Sequence, residues 1–254
     1  MTALTVSGLS KSFGGLHVTR RVDLDVAPGE RRLIIGPNGA GKTTLLNLIT
    51  GYYRPGAGQI RFAGESIAGR PPYAVARLGV ARTFQTAQAF DDLTVVENVM
   101  VGAAGARLGG LAGALLGMPG ARRRERELRG VALALLATLG LGPRALEPAT
   151  ALPAGLQRWL EIARALATRP RLLLLDEPAA GLSPAEIEEL DRRLTALGEH
   201  GGPAVVLVEH HMELVMAVSD RVSVLDYGRV IAAGSPGAVR ANPAVIEAYL
   251  GAPA

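Results

Sequence analysis

Hydrophobic and polar residues alternate in "LTVSGLS" and "VDLDV" near the start of the chain, the signature of strands with one face buried. Pro28-Gly29 reads as a turn, and "RRLIIG" as a strand ending at Gly36. The apolar stretch "TTLLNLITG" predicts a helix with Gly51 as its C-cap. Farther on, "RLLLLD", "AVVLVE" and "RVSVLD" are short, nearly continuous apolar runs, typical of strands buried on both faces. Helical stretches separate them. One, "SPAEIEELDRRLTALGE", has a marked start, with Ser183 as N-cap, Pro184 behind it and Glu186 closing a capping box. Strands alternating with helices imply a parallel sheet covered on both sides. From about Thr94 to Thr168 the pattern is helical throughout, as in "TVVENVMVGA" and "LQRWLEIARALAT". This predicts a helical lobe inserted into the α/β core. The tail, "SPGAVRANPAVIEAYLG", reads as two short helices broken at Pro243.

Composition narrows this picture. The chain has 254 residues, 48% hydrophobic and 20% charged, enough for one large domain or two lobes. It contains no cysteine, so disulfides and thiolate metal sites are excluded. The first residues, "MTALTVSGLSKSFGG", show no basic-then-apolar leader, and the least polar zone, Leu108 to Gly120, is too short to span a bilayer. A net charge of +4 would suit nucleic acid, anionic lipid or phosphate. Arginines of the densest basic cluster, "ARRRERELRG", are interleaved with Glu125 and Glu127, as on a solvated helix face. No aromatic array accompanies it, so no nucleic-acid partner is expected.

The chemistry concentrates in two places. "GPNGAGKT", Gly36 to Thr43, has the spacing G-x-x-x-x-G-K-[ST] between a predicted strand and a predicted helix. Glycines let backbone N–H groups turn inward around phosphate oxygens, and a helix N-terminus adds a positive dipole. Lys42 reaches the terminal phosphates, and the Thr43 hydroxyl is a ligand for Mg²⁺. The second place is "LLLLDEP", where Asp176 and Glu177 stop a hydrophobic strand. Beside a phosphate loop, an acid at a strand end holds Mg²⁺, and the next carboxylate orients or deprotonates the attacking water.

Together "GPNGAGKTT", "RTFQ", "LEIARAL", "LLLLDEPAAGLSP" and "LVEHHMELVMAVSDRVSVLDYGRVIAAGSP" resemble the ATP-binding subunit of an ABC transporter. The likeness leans toward the branched-chain amino acid, urea or amide importers, which "FGGLHV" and "NPAVIEAYLG" also resemble. The resemblance implies a P-loop NTPase α/β core with a mostly parallel sheet, an N-terminal antiparallel β region and an inserted helical lobe. It places the core at 1–85 and 169–235, the helical subdomain at 86–168 and a short helical tail at 236–254. It also implies site roles. Phe13 stacks on adenine. Gly36, Pro37, Asn38, Gly39, Ala40, Gly41, Lys42, Thr43 and Thr44 hold the phosphates. Thr43, Gln85 and Asp176 attend Mg²⁺. Glu177 is the catalytic carboxylate and His210 contacts the γ-phosphate, while adjacent His211 receives no role. ATP and Mg²⁺ are the implied cofactors. A second ATPase subunit and membrane-embedded permeases are the implied partners, with a solute-binding protein acting indirectly. The implied location is peripheral, on the cytoplasmic face of the membrane.

One motif departs from the family. A serine-glycine-glycine-glutamine signature, which binds ATP held by the opposite subunit, is represented here by "LPAGLQ". Pro153 stands for the serine, at what reads as the first helical position, removing a hydroxyl and a backbone N–H. Ala154 adds a methyl and Leu156 replaces a glutamine. Gly155 and Gln157 remain as candidate nucleotide contacts. The expectation is one slow site and, with an intact partner, an unequal heterodimer. Ser183 stands where many relatives carry aspartate, a milder change. Two alternatives stay open, an ABC ATPase of another system such as lipopolysaccharide export, and a nucleotide switch with little turnover. A P-loop kinase fits the motif order poorly. The solute, the direction of transport and homodimer against heterodimer stay open as well.

Overall fold

In a computed structural model, residues 2–84, 89–105, 121–199, 201–209 and 219–250 are described. Gln85, His210, His211 and the apolar stretch 108–120 lie outside them. Two compact units emerge, Met1–Arg82 with Arg171–Ala254, and Thr83–Pro170.

The first unit contains both sheets. β1 (Leu4–Phe13) pairs antiparallel with β2 (Leu16–Val26) and with β4 (Ala57–Phe62), and β5 (Glu65–Ser66) closes a sheet of order β2-β1-β4-β5. The alternation read in "LTVSGLS" is real, since Leu4, Val6 and Leu9 face the core while Ser7 stays exposed. The second sheet has the order β10-β9-β3-β8-β7-β6. Its members are β3 (Arg31–Ile35), β6 (Val80–Arg82), β7 (Leu172–Asp176), β8 (Ala204–Glu209), β9 (Arg221–Asp226) and β10 (Arg229–Gly234). All pairings are parallel except the β9–β10 hairpin. Every residue of β7 and β8 is buried, so the unbroken apolar runs mark a sheet with both faces covered. β3 carries an exception, the buried Arg32. Its guanidinium donates to Glu30 Oε1 at 2.6 Å, to the Asp25 carbonyl at 2.6 Å and to Ser223 Oγ at 3.2 Å, which satisfies a charge that burial would otherwise make costly.

Helices α1 (Lys42–Ile49), α2 (Pro72–Arg77), α6 (Pro184–Glu199), α7 (Pro236–Arg240) and α8 (Pro243–Leu250) belong to this unit. The capping box at α6 forms as read, with Ser183 N–H and Oγ both donating to Glu186 Oε2 at 2.8 and 2.7 Å. Gly51, at φ 80°, lies just past the C-cap Thr50.

The second unit holds α3 (Val95–Gly105), α4 (Ala121–Thr138) and α5 (Ala154–Ala167), with no strand among its described residues. Its hub is Asn98, fully buried on α3. The Asn98 amide donates to the carbonyls of Phe90, Leu93 and Thr94, and its oxygen accepts the Phe90 N–H at 2.8 Å. One side chain thereby ties the loop before α3 to the helix, and its oxygen gives the Phe90 N–H a partner. α3 and α5 pack closely at Gly102, where a Cβ would lie 2.3 Å from the Arg164 carbonyl oxygen.

Leu174 is fully buried in β7, between β6 and β8. Leu174→Ala removes packing on one face of the sheet, in the core it shares with Leu172 and Val206, and should cost about 2–5 kcal/mol of unfolding free energy, measured by urea titration of the purified chain.

Candidate active site

The chain leaves β3 at Ile35 and turns through 36–41 into α1. Shape, more than charge, dictates the glycines here. A Cβ on Gly36 would lie 2.0 Å from the Leu225 carbonyl oxygen, and one on Gly41, at φ 100°, 2.5 Å from the Val18 carbonyl oxygen. The same Val18 oxygen lies 2.4 Å from the place a Cβ would take on Gly228. Gly228, in the β9–β10 turn, donates its N–H to the Ala40 carbonyl at 3.0 Å and accepts the Arg20 N–H at 2.7 Å. The loop is thus pressed from behind by β2 and by the hairpin. On its open side, a Cβ on Gly39 would meet nothing within 4 Å, and Asn38, Gly39 and Thr43 are exposed. This cradle, opening at the start of a helix, fits a phosphate chain.

Lys42 is buried, and its ammonium donates to the carbonyls of Gly36 at 2.6 Å and Pro37 at 2.9 Å. Burial lowers its pKa, while the fields of Glu177, Asp176 and Glu209 push the other way. Those three carboxylates mark the acidic side of the site. Parallel register brings them there, because Ile35 pairs with Glu209 and Asp176 with Val208. All three strands end together, at the carboxyl edge where open α/β sheets bind ligands.

Asp176, Glu177 and Lys42 therefore come together as the sequence implied. Glu177 is half-buried, donates its backbone N–H to the Val208 carbonyl at 2.9 Å and has φ 49°. A left-handed conformation in a glutamate costs about 1–3 kcal/mol and persists where surrounding contacts enforce it. Phe13 is 43% exposed, its ring edge-on to Tyr53 at 5.1 Å and beneath the Lys11 ammonium at 5.0 Å. A ring this open is not core packing and leaves a face free for stacking. Thr44 is half-buried. Gln85 and His210 lie outside the described residues.

In the second unit, Pro153 is the N-cap of α5 rather than its first helical residue. Its ψ of 152° is extended, and its carbonyl accepts from Leu156 N–H at 2.9 Å and Gln157 N–H at 3.0 Å. No side chain caps this helix. Pro153 and Ala154 are exposed and Gly155 half-buried. Gln157 turns its amide back, donating to the Leu152 carbonyl at 3.0 Å.

Three participants escaped the sequence reading. Glu209 ends the apolar run "AVVLVE" just as Asp176 ends "LLLLD", a signal that was available. Its Oε1 accepts the Ala179 N–H at 2.8 Å and so braces the turn after Glu177. Gly228 gave no local signal. Arg82, inside the quoted "RTFQ", holds Asp176. Its guanidinium donates to Asp176 Oδ2 at 2.9 Å, to Asn47 Oδ1 at 2.6 Å and to Thr50 Oγ1 at 3.4 Å. Both partners of this ion pair are buried, with side chains 6% and 4% exposed, so the phosphate-loop helix and the acidic strand end share one cation. Arg82→Met should cost about 3–5 kcal/mol, because it strands a buried carboxylate. Adding Asp176→Leu should restore part of that loss in the same urea titration.

Comparison with known proteins agrees with this geometry. Residues 19–180 match the family model described as ABC transporter, and 229–254 match the model described as branched-chain amino acid ATP-binding cassette transporter. The chain is 44% identical over 248 residues to the high-affinity branched-chain amino acid transport ATP-binding protein LivG of Escherichia coli K12, covering 98% of this chain and 97% of that protein. It superposes on the ADP conformation of MJ1267, an ATP-binding cassette of an ABC transporter, with a TM-score of 0.86 and 30% identity over 99% of both chains. On the dimeric bacterial ABC transporter cassette MJ0796 the TM-score is 0.78, at 26% identity over 92% of this chain and 98% of that one. With a P-loop NTPase core, an antiparallel N-terminal sheet and no helix among the described residues able to cross a membrane, the chain belongs to the ABC transporter family, as a nucleotide-binding subunit that hydrolyses ATP to power transport.

Proposed function

We propose that this subunit powers the import of branched-chain amino acids. The observation that carries the proposal is the match of residues 229–254 to the branched-chain amino acid cassette model, joined to 44% identity with LivG across 98% of the chain. The catalytic core itself is shared by all ABC ATPases and says nothing of the solute. Deleting this subunit from its host should abolish uptake of labelled leucine, isoleucine and valine and leave urea uptake intact. Loss of urea uptake alone would move the assignment to the urea or amide group.

In the working site, backbone amides of 36–41, Lys42 and Thr44 grip the phosphates, and Phe13 receives the adenine ring. The exposed hydroxyl of Thr43 and the buried carboxylate of Asp176, whose field acts on Lys42, are hard oxygen donors of the kind that suits Mg²⁺ beside a triphosphate; Gln85 adds an amide oxygen. Bound there, the ion would neutralise charge on the β- and γ-phosphates. Glu177 polarises the attacking water and His210 steadies the γ-phosphate. Lys42 leaves the carbonyls of Gly36 and Pro37, its partners in this structure, to meet charge on the transferring phosphoryl group. Two subunits close head to tail, each completing the other's site with Gly155 and Gln157, and membrane-embedded permeases receive the motion on the cytoplasmic side.

The signature supports a second element of the proposal, an intrinsically slow site. Pro153 supplies neither hydroxyl nor N–H, and no side chain caps α5. One lost donor costs on the order of 10²–10³ in rate. A partner subunit with a full signature would give one fast and one slow site. Glu177→Gln should abolish phosphate release while retaining ATP affinity, measured by calorimetry. Pro153→Ser should raise the turnover of the purified homodimer at least ~10-fold; an unchanged, family-typical rate in both forms would remove the slow-site reading.

A further inference from the structure

Phe13 ends β1 at a hairpin tip, and the residues after it are Gly14 and Gly15, where an added Cβ would meet nothing within 4 Å. The turn itself therefore gives this ring no wall. Lys11, on the same strand, lays its ammonium over the ring at 5.0 Å. Tyr53 meets the ring from a separate segment, with the centroids 5.1 Å apart and the planes at 73°. Tyr53 is 37% exposed, so the pair is not part of the core. Two large rings held in contact at the surface call for a reason other than burial.

Tyr53 is fastened to the helix of the phosphate loop. Its N–H donates to the Asn47 carbonyl, in the last turn of α1, at 3.1 Å. Three residues on, the Gly56 N–H donates to the Ser10 carbonyl at 2.8 Å, and Ala57 pairs with Ser10. The connection from α1 to β4 is thus tied to α1 at one end and to β1 at the other, with Tyr53 between. Backbone bonds and one ring contact make a continuous path from the cradle, through α1, to Phe13.

An exposed phenylalanine that takes a nucleobase gives up rotamer freedom as the base stacks on it. A ring held beforehand by a near-perpendicular neighbour has less freedom to lose, and affinity gains what is saved. We propose that Tyr53 is a positioning residue for adenine: it pins the Phe13 ring to the helix that carries Lys42, and so sets the spacing between the grip on the base and the grip on the phosphates. This rests on Phe13 receiving the adenine ring.

The test measures, by calorimetry on the full-length chain, affinity for ADP and for pyrophosphate, a phosphate ligand with no base. Tyr53→Leu should weaken ADP roughly 2- to 10-fold, the range of one aromatic pair, and leave pyrophosphate unchanged. Tyr53→Phe, which keeps the ring, should bind both as the wild type does. In a chain already carrying Phe13→Leu, adding Tyr53→Leu should weaken ADP no further, because the two act as one unit. Undiminished ADP affinity in Tyr53→Leu, beside a loss in Phe13→Leu, overturns the proposal. So does an equal loss of pyrophosphate affinity, which marks a structural effect on the cradle through α1, and so does an additive loss in the double variant. Undiminished ADP affinity in Phe13→Leu would instead bring down the adenine reading beneath it.

Discussion

The site is built around one buried ammonium. Lys42 sits in a loop whose backbone gives it two carbonyls, while three carboxylates act on it from the ends of neighbouring strands. Burial alone would work against the charge; the carbonyls and the acids make it tolerable. The arrangement needs β3, β7 and β8 to end level, and parallel pairing in register supplies that. A charge held in this way is poised to change partners, as the role proposed for Lys42 requires.

Much of this was legible because it is local. A glycine-rich loop between an apolar strand and a helix, and an apolar run stopped by two acids, carry their geometry within a few residues. Ser183 and Glu186 likewise closed the box their spacing implied. What stayed hidden depends on contacts distant in sequence. Arg82 and Asp176 are separated by 94 positions, and only sheet order brings them together. Glu209 could have been read by analogy with Asp176 but had no motif around it. Pro153 was one position off, because a proline with extended ψ serves as well before a helix as at its first turn.

Glu177 and Pro153 show local preference yielding to different demands. Glu177 holds a left-handed backbone that its own chemistry disfavours, and the Val208 carbonyl together with the turn braced by Glu209 keeps it there. Conformational cost concentrated on a carboxylate beside a phosphate cradle is the pattern expected where chemistry is done. Pro153 is unstrained by comparison and its helix forms without a side-chain cap. The fold accommodates that proline, so the penalty proposed for it is one of nucleotide recognition.

The oxygen of Val18 leaves no room for a side chain at Gly41 or at Gly228, two positions far apart in the chain. A single backbone atom on an N-terminal strand therefore sets the sequence of both the phosphate loop and the distant hairpin behind it. Grafting this loop onto another scaffold would require transplanting three separate segments at once. The eleven-residue strand β2, which carries no catalytic side chain, is as much a part of the mould as the glycines pressed against it.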